Sequence, residues 1–139
     1  MYSNAGDEDF PVTEEEGAVV RTILSRLGNP PEYITTGDLL DGWRRLVASL
    51  EKTYCLTEND YTNDLDKRHL LELILQEGPP PLRARLGKQV RELDAKFYAS
   101  TFGIDKPLHG TMEKYDKERF PWYYRVPIRR DEENFYYTP

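Results

Sequence analysis

Four carboxylates and a histidine crowd into a short part of the sequence LTENDYTNDLDKRHLLELIL, which covers residues 56–75. They are Glu58, Asp60, Asp64, Asp66 and His69. Carboxylate and imidazole groups at this density can bind a metal ion, transfer protons in acid–base catalysis, or form a charged surface for a basic partner. Acids can also simply stabilise the positive end of a helix. The residue types alone leave all of these roles open.

Known metal-binding patterns do not fit this stretch. An EF-hand loop that started at Asp60 would need Gly at its sixth position and Glu at its twelfth, where Leu65 and Leu71 stand. His69 and Glu72 can share a helix face, but a di-iron bundle needs several such pairs on facing helices. We therefore expect no metal and no other cofactor. An enzyme that uses His69 with the neighbouring carboxylates is one alternative function.

The single cysteine, Cys55, gives little support to a catalytic function. One thiol cannot form an internal disulfide, which favours a reducing compartment. Cys55 could act as a nucleophile beside His69 or His109, but free cysteines are more often small buried side chains. The chain also lacks the glycine-rich loops that bind phosphates. No catalytic residue is predicted.

The excess negative charge is concentrated near the N-terminus. The chain has 139 residues and a formal net charge of −6. Six of its 25 acidic residues occur in the first 16 positions, which leaves 19 acidic against 19 basic residues in the remainder. A neutral body argues against direct nucleic-acid binding, which needs a basic face. Without a long apolar run or a signal-peptide pattern, a cytoplasmic protein that does not contact a membrane is expected.

Hydrophobic periodicity predicts an all-α domain of four helices, on which an aromatic, Pro-containing, extended C-terminal segment packs. The predicted helices are Glu14–Leu27, Asp38–Lys52, Asp64–Glu77 and Pro81–Phe102. Residues 1–12 are predicted to be a flexible acidic arm. Residues 13–139 form one helical domain, whose aromatic segment begins at residue 104. The predicted core residues are Trp43, Leu46, Leu50, Leu71, Ile74, Leu86, Val90, Leu93 and Phe97.

Several residues mark the ends or contacts of these helices. Thr13 and Glu16 match a capping box, in which each side chain bonds the other residue's backbone N–H. Thr36 is the predicted N-cap of the second helix. Gly78 is expected to end the third helix in the left-handed conformation. Gly87, inside the fourth helix, is expected to allow close packing of a neighbouring helix.

The predicted third helix divides the carboxylates between two roles. A polar cap just before Asp64 would place Asp64 and Asp66 in the first turn, where they would stabilise the positive end of the helix. Glu58 and Asp60 would then precede the helix and flank Tyr61. Without a structural role, these two acids would be free to contact a basic partner.

The C-terminal segment contains many residues of the kind that dominate binding interfaces. Eight of the 17 aromatic residues follow residue 104. WYYRV is predicted to be a short extended segment, and the prolines on both sides confine it to an edge or a lone strand. Alternation along a strand would place Trp122 and Tyr124 on one side, and Tyr123 and Arg125 on the other.

Three segments together resemble a group of small helical bacterial proteins without assigned catalytic activity. They are LLDGWRRLVASLEKTYCLTENDYTNDLDKRHLLELIL, LRARLGKQVRELDAKFYASTF and WYYRVP, within residues 38–127. In kind, this group is similar to the immunity proteins of bacterial toxin systems, including contact-dependent inhibition. The resemblance implies a small, acidic, cytoplasmic protein that binds one toxin domain and blocks it.

We therefore predict a binding or inhibitor protein, most concretely an immunity protein that neutralises a bacterial toxin, such as a nuclease, by occlusion. The partner is a protein, and neither nucleic acid nor membrane is bound directly. The predicted partner-binding residues are Glu58, Asp60, Tyr61, Tyr123 and Arg125. Alternatives are a small enzyme that uses His69, or an assembly subunit that buries its aromatic tail in a dimer. An enzyme would gather its acids and histidine in a concave pocket, whereas a binder would show them on an open face.

Overall fold

The computed structural model describes residues 10–26 and 34–137. Its helices are α1 (Glu14–Ser25), α2 (Thr36–Glu51), α3 (Glu58–Glu77) and α4 (Pro80–Ala99). The C-terminal segment contains the strands β1 (Thr101–Gly103) and β2 (Arg125–Pro127), with 3₁₀ turns at Gly110–Lys114 and Pro121–Tyr124. The predicted all-α class with four helices and a C-terminal extension is confirmed. None of the described helices is both long enough and apolar enough to cross a membrane.

Capping boxes begin the first two helices. The Thr13 hydroxyl accepts a hydrogen bond from the backbone N–H of Glu16 at 3.1 Å, and the Glu16 carboxylate accepts one from Thr13 at 2.9 Å, as predicted. For α2 the cap is Thr35 rather than the predicted Thr36. Asp38 lies three residues after Thr35, and its carboxylate accepts a hydrogen bond from the backbone N–H of Thr35 at 3.1 Å. The predicted end of α1 at Leu27 lies outside the described residues.

The predicted start of the third helix is wrong, because α3 begins six residues earlier, at Glu58. Thr57 is the N-cap, and Asp60 completes a capping box through its carboxylate at 3.2 Å from the Thr57 nitrogen. Tyr61 and Leu65 are both buried and lie one helical turn apart, so they extend the core-facing stripe through the polar stretch. This capping box was not recognised in the sequence, because Asp60 occupies the position at which Glu or Gln is usual.

The joint between α3 and α4 is close-packed. Gly78 has φ −71° and ψ 167°, which is extended and not the predicted left-handed conformation. A Cβ at this position would lie 2.6 Å from the carbonyl oxygen of Ile74, so only glycine fits. If Gly87 carried a Cβ, the nearest atom of another helix, on Leu75, would lie 3.8 Å from it. This is an ordinary contact distance, so the predicted close approach is absent. The helix α4 ends at Ala99, because the residues that follow form β1.

The core lies between the helices and includes almost all of the predicted residues. The buried ones are Trp43, Leu46, Leu50, Leu71, Ile74, Leu86, Val90 and Phe97. Leu93 is only partly buried. The adjacent Asp94 bonds to Trp43 of α2 and to Arg68 of α3.

The C-terminal segment differs from its predicted form. Only the part from Arg125 onwards is a strand, and it pairs with β1 in an antiparallel register that places Phe102 opposite Val126. Pro121 starts a 3₁₀ turn, so side chains do not alternate there. As a result Trp122 and both following tyrosines are buried, and Tyr123 does not face outwards as predicted.

Residues 129–135 clamp the linker between α2 and α3. Tyr54 donates its backbone N–H to the Arg129 carbonyl at 2.9 Å and accepts from the N–H of Asp131 at 2.8 Å. Phe135 is buried, and its ring packs edge-on against Tyr54 and Tyr61, with ring centres 6.0 and 5.5 Å away. This clamp joins the end of the described chain to its middle.

Residues 10–12, the end of the predicted arm, contact the helical body. Phe10 is buried, with the Arg85 guanidinium 5.7 Å from its ring centre. Arg85 also bonds the carbonyl of Pro11 and forms an ion pair with Glu16 at 2.8 Å. Residues 10–12 therefore belong to the packed body, and residues 1–9 lie outside the described residues.

Candidate functional site

The acids of the opening stretch occupy different surroundings from those predicted. Glu58 and Asp60 form the first turn of α3, where Asp60 is the capping partner of Thr57. Glu58 accepts a hydrogen bond from the backbone N–H of Tyr136. The prediction that these two acids lack a structural role is therefore wrong.

Asp64 and Asp66 lie further along α3 than predicted, and both accept bonds from tyrosines. Asp64 accepts from the Tyr54 hydroxyl at 3.2 Å and from Lys67 at 3.3 Å. Asp66 accepts from the Tyr123 hydroxyl at 2.6 Å. Neither acid is in the first turn, so the prediction that they stabilise the positive end of the helix is wrong. They instead attach neighbouring segments to α3.

Two exposed apolar side chains lie beside the first turn of α3. Leu56 is 52% exposed and Tyr136 is 75% exposed. The side-chain amide of Asn134 donates to the carbonyl of Cys55 at 2.9 Å, so the turn before Tyr136 is attached to the linker. That turn also carries two exposed acids. We call this surface the acidic end and define it as Leu56, Glu58, Asp60, Glu132, Glu133 and Tyr136.

A groove adjoins the acidic end. It lies between α2 and α3, has a volume of about 410 Å³, and is lined by residues that include Leu46, Tyr54, Leu56 and Asp64. Cys55 also lines it and is exposed, unlike the buried free cysteine that composition favoured. Arg45 and Lys67 also line the groove, and Lys67 already pairs with Asp64 at 3.3 Å.

A second cluster forms where α3 meets the C-terminal segment. The Tyr123 hydroxyl donates to Asp66 and also lies 3.2 Å from Nδ1 of His69. Because the single proton of this hydroxyl points to Asp66, its bond with His69 forms in the tautomer that carries a hydrogen on Nδ1. The imidazole stacks on Phe120, with ring centres 4.6 Å apart and an angle of 4° between the planes. We call these four residues the His69 cluster.

The electrostatics of the His69 cluster favour a neutral imidazole. Burial lowers the pKa of His69, opposed by the charge of Asp66 and assisted by that of Arg119. Burial, followed by the bond to Asp66, holds the pKa of Tyr123 far above its ordinary value. Within the described part of the chain, Nε2 of His69 forms no hydrogen bond and is not completely buried. It is therefore the ring nitrogen that can accept a proton in this tautomer.

Arg68 is the centre of an ionic network that the sequence did not reveal. It is 6% exposed, and it bonds both oxygens of Asp94, at 3.0 and 2.8 Å, and Glu72 at 2.9 Å. Asp94 also accepts from the indole of Trp43 at 3.0 Å, and the guanidinium lies 4.4 Å from the ring centre of Trp122. Only the i, i+4 spacing of Arg68 and Glu72 was visible in the sequence. Because Glu72 is held in this network, it is committed to an ion pair.

The predicted partner-binding residues separate into surface and core. Tyr61 is fully buried, and its hydroxyl donates to the carbonyl of Arg125 at 2.7 Å. Tyr123 is buried in the His69 cluster, and Arg125 is half-buried, donating to the Thr101 hydroxyl at 2.8 Å. The expectation that the two tyrosine rings face a partner is wrong, because both rings fill the core. Asp60 is exposed and Glu58 is half-buried at the surface.

Within the described residues, no three His, Cys, Asp or Glu side chains are grouped so that they could hold a metal ion. Comparison with known proteins finds no matching family model, no matching curated protein and no matching solved structure. The resemblance to immunity proteins therefore stays a prediction.

Proposed function

We propose that this chain is a protein-binding inhibitor, most concretely an immunity protein that neutralises a bacterial toxin domain by covering it. The observation that supports this proposal is the acidic end, where acids occur in the same turns as the exposed side chains of Leu56 and Tyr136. An aromatic anchor within a polar rim is the usual anatomy of a protein interface. Tyr136 is the anchor that the sequence-based prediction missed.

The charge of the acidic end indicates a basic partner surface. A nuclease domain suits this requirement, because it uses Lys and Arg side chains to hold phosphates. Carboxylates that face such side chains speed association and exclude uncharged competitors.

The acidic end is held in place before any partner binds. The capping box fixes Asp60, the N–H of Tyr136 fixes Glu58, and Asn134 fixes the turn against Cys55. An interface whose backbone is already ordered loses less entropy on binding. The surface is therefore suited to rigid docking.

The proposal can be tested with toxin domains that are encoded beside this gene. Each domain is expressed from an inducible promoter in a bacterial host, with and without this chain, and growth is measured. The chain should restore growth, and the variant Glu58→Lys/Glu133→Lys should fail to do so. A matched reversal of two exposed acids elsewhere, Glu113→Lys/Glu118→Lys, should restore growth normally.

Binding kinetics identify the docking face. The Glu58→Lys/Glu133→Lys variant should associate with the purified toxin domain more slowly than wild type, and with a weaker dependence on salt. Melting curves confirm that it is folded. If this variant associates as fast as wild type at low salt, the acidic end is not the docking face. If no toxin domain is bound or neutralised, the immunity function itself is wrong.

A small enzyme is the second candidate, and the His69 cluster is the observation that favours it. An accessible neutral imidazole that is linked to a carboxylate through a tyrosine is suited to general-base chemistry. The variant His69→Gln separates the two functions. If the chain is an inhibitor, the folded variant should still restore growth. If the chain is an enzyme, the variant should fold but no longer restore growth.

A further inference from the structure

Exposed positive charge is concentrated on the outer face of α4. Arg83, Lys88, Arg91 and Lys96 are all exposed, and none forms an ion pair with a described residue. Most arginines on the other helices are paired, as Arg45 is with an aspartate at 2.9 Å. Four cations without an ion-pair partner among the described residues therefore lie on one helix.

The composition of this face suits a long, charged ligand. The cations span thirteen positions, or about 20 Å along the helix axis. The small side chains of Ala84 and Ala95 lie between them and are exposed, so a ligand can approach the helix closely. One acid, Glu92, shares the face, and Arg85 at its edge is already paired with Glu16.

An exposed aromatic ring continues the row of cations. Tyr98 is 41% exposed and lies seven residues, or two turns, after Arg91. The Arg125 guanidinium lies 4.8 Å from its ring centre, and the ring packs edge-on against Phe97. The ring is therefore held in position at the surface.

We propose that the outer face of α4 binds single-stranded nucleic acid, with its cations on the phosphates and Tyr98 as a stacking platform for a base. Cations that follow the backbone, next to an aromatic ring, are the usual elements of such sites. A single strand fits better than a duplex, because only unpaired bases are free to stack on the ring of Tyr98. The face lacks the exposed apolar side chains that membrane insertion needs.

This inference goes beyond the proposed inhibitor function and does not depend on it. It also departs from the expectation that nucleic acid is not bound directly. That expectation used the average charge of the chain body, whereas the fold separates a basic helix face from the acidic end. Binding should be strongly salt-dependent, because four phosphate contacts on a single strand give a slope of about −2.8 in log K against log salt.

The test measures fluorescence anisotropy of a labelled oligothymidylate of about 20 nucleotides with the full chain, at about 50 mM salt. Raising the salt threefold should weaken binding about twentyfold. The variant Lys88→Glu/Arg91→Glu should bind at least about tenfold more weakly. The matched control Lys52→Glu/Lys106→Glu changes net charge equally, uses exposed lysines away from α4, and should bind nearly as wild type.

The stacking contact has its own variant. Tyr98→Ala should weaken binding about fivefold or more, whereas Tyr98→Phe should retain it. Melting curves establish that each variant is folded. The proposal is overturned if the oligonucleotide does not bind, if the two reversal pairs weaken binding equally, or if a duplex of the same length binds more tightly through the same residues.

Discussion

The two parts of α3 use charge in opposite ways. At its N-terminal turn, Glu58 and Asp60 lie at the surface, where their bonds are to backbone groups and to a threonine hydroxyl. In its middle, Arg68 is almost completely buried and is neutralised by Asp94 and Glu72. The first arrangement leaves charge available to a partner, and the second uses charge to attach α3 to α4.

The difference follows from the free energy of desolvation. A surface charge keeps most of its hydration, so substituting it changes stability by less than about 1 kcal/mol. A buried charge has lost its hydration, so the loss of its counter-ion leaves a cost of several kcal/mol. Substitutions in the middle of α3 should therefore mainly change stability, and those at its start should mainly change binding.

The largest expected effect is at Asp94. The variant Asp94→Ala leaves the buried guanidinium of Arg68 with one carboxylate, and the indole of Trp43 without its acceptor. We expect the free energy of unfolding to fall by about 3–5 kcal/mol, measured by urea denaturation. Asp94→Asn keeps an acceptor oxygen and should cost less. A loss below about 1 kcal/mol for the alanine variant would show that the network is not the main link between α3 and α4.

A smaller effect, dependent on pH, is expected at His69. Its pKa is lowered in the folded chain, chiefly by burial, so the unfolded chain binds the proton more readily. The stability that this residue contributes is therefore complete above its unfolded pKa of about 6.5 and is lost as pH falls through that value. Denaturation measured between about pH 7.5 and pH 5 should show this loss. A His69→Gln variant should lose less stability over that range, and an unchanged pH dependence would contradict the assignment.

The smallest expected effect on stability is at the start of α3. Asp60→Ala removes one side of the capping box and should destabilise the chain by about 1 kcal/mol. Asp60→Glu keeps a capping carboxylate and provides the matched control. A loss as large as that of Asp94→Ala would contradict the contrast between the two parts of the helix.

The sequence predicted the parts of the fold that depend on neighbouring residues. The capping box of Thr13 and Glu16 involves residues three apart, and the apolar stripe through Trp43, Leu46 and Leu50 repeats with the helical period. Such signals are contained in short windows. They located all four helices, with the largest error at the start of α3.

The missed features depend on residues that are far apart in the sequence. Nothing near Arg68 indicates that it pairs with Asp94 on another helix, so this buried ion pair was not predicted. The same limit applies to the candidate site, because Tyr136 reaches Glu58 only when the chain end folds back. Tyr123 was predicted to face outwards because the segment was expected to be a strand, but it lies in a 3₁₀ turn.

The clamp that residues 129–135 form on the linker between α2 and α3 has a consequence for the rate of folding. Asn134 bonds to a residue 79 positions earlier, and Tyr136 to one 78 positions earlier. Helical bundles fold quickly because most of their contacts are local, whereas contacts at this separation require a large loop to close first. The chain should therefore fold more slowly than a simple four-helix bundle of its length. During that delay Tyr54 and Tyr61 lack the ring of Phe135 that covers them in the folded chain.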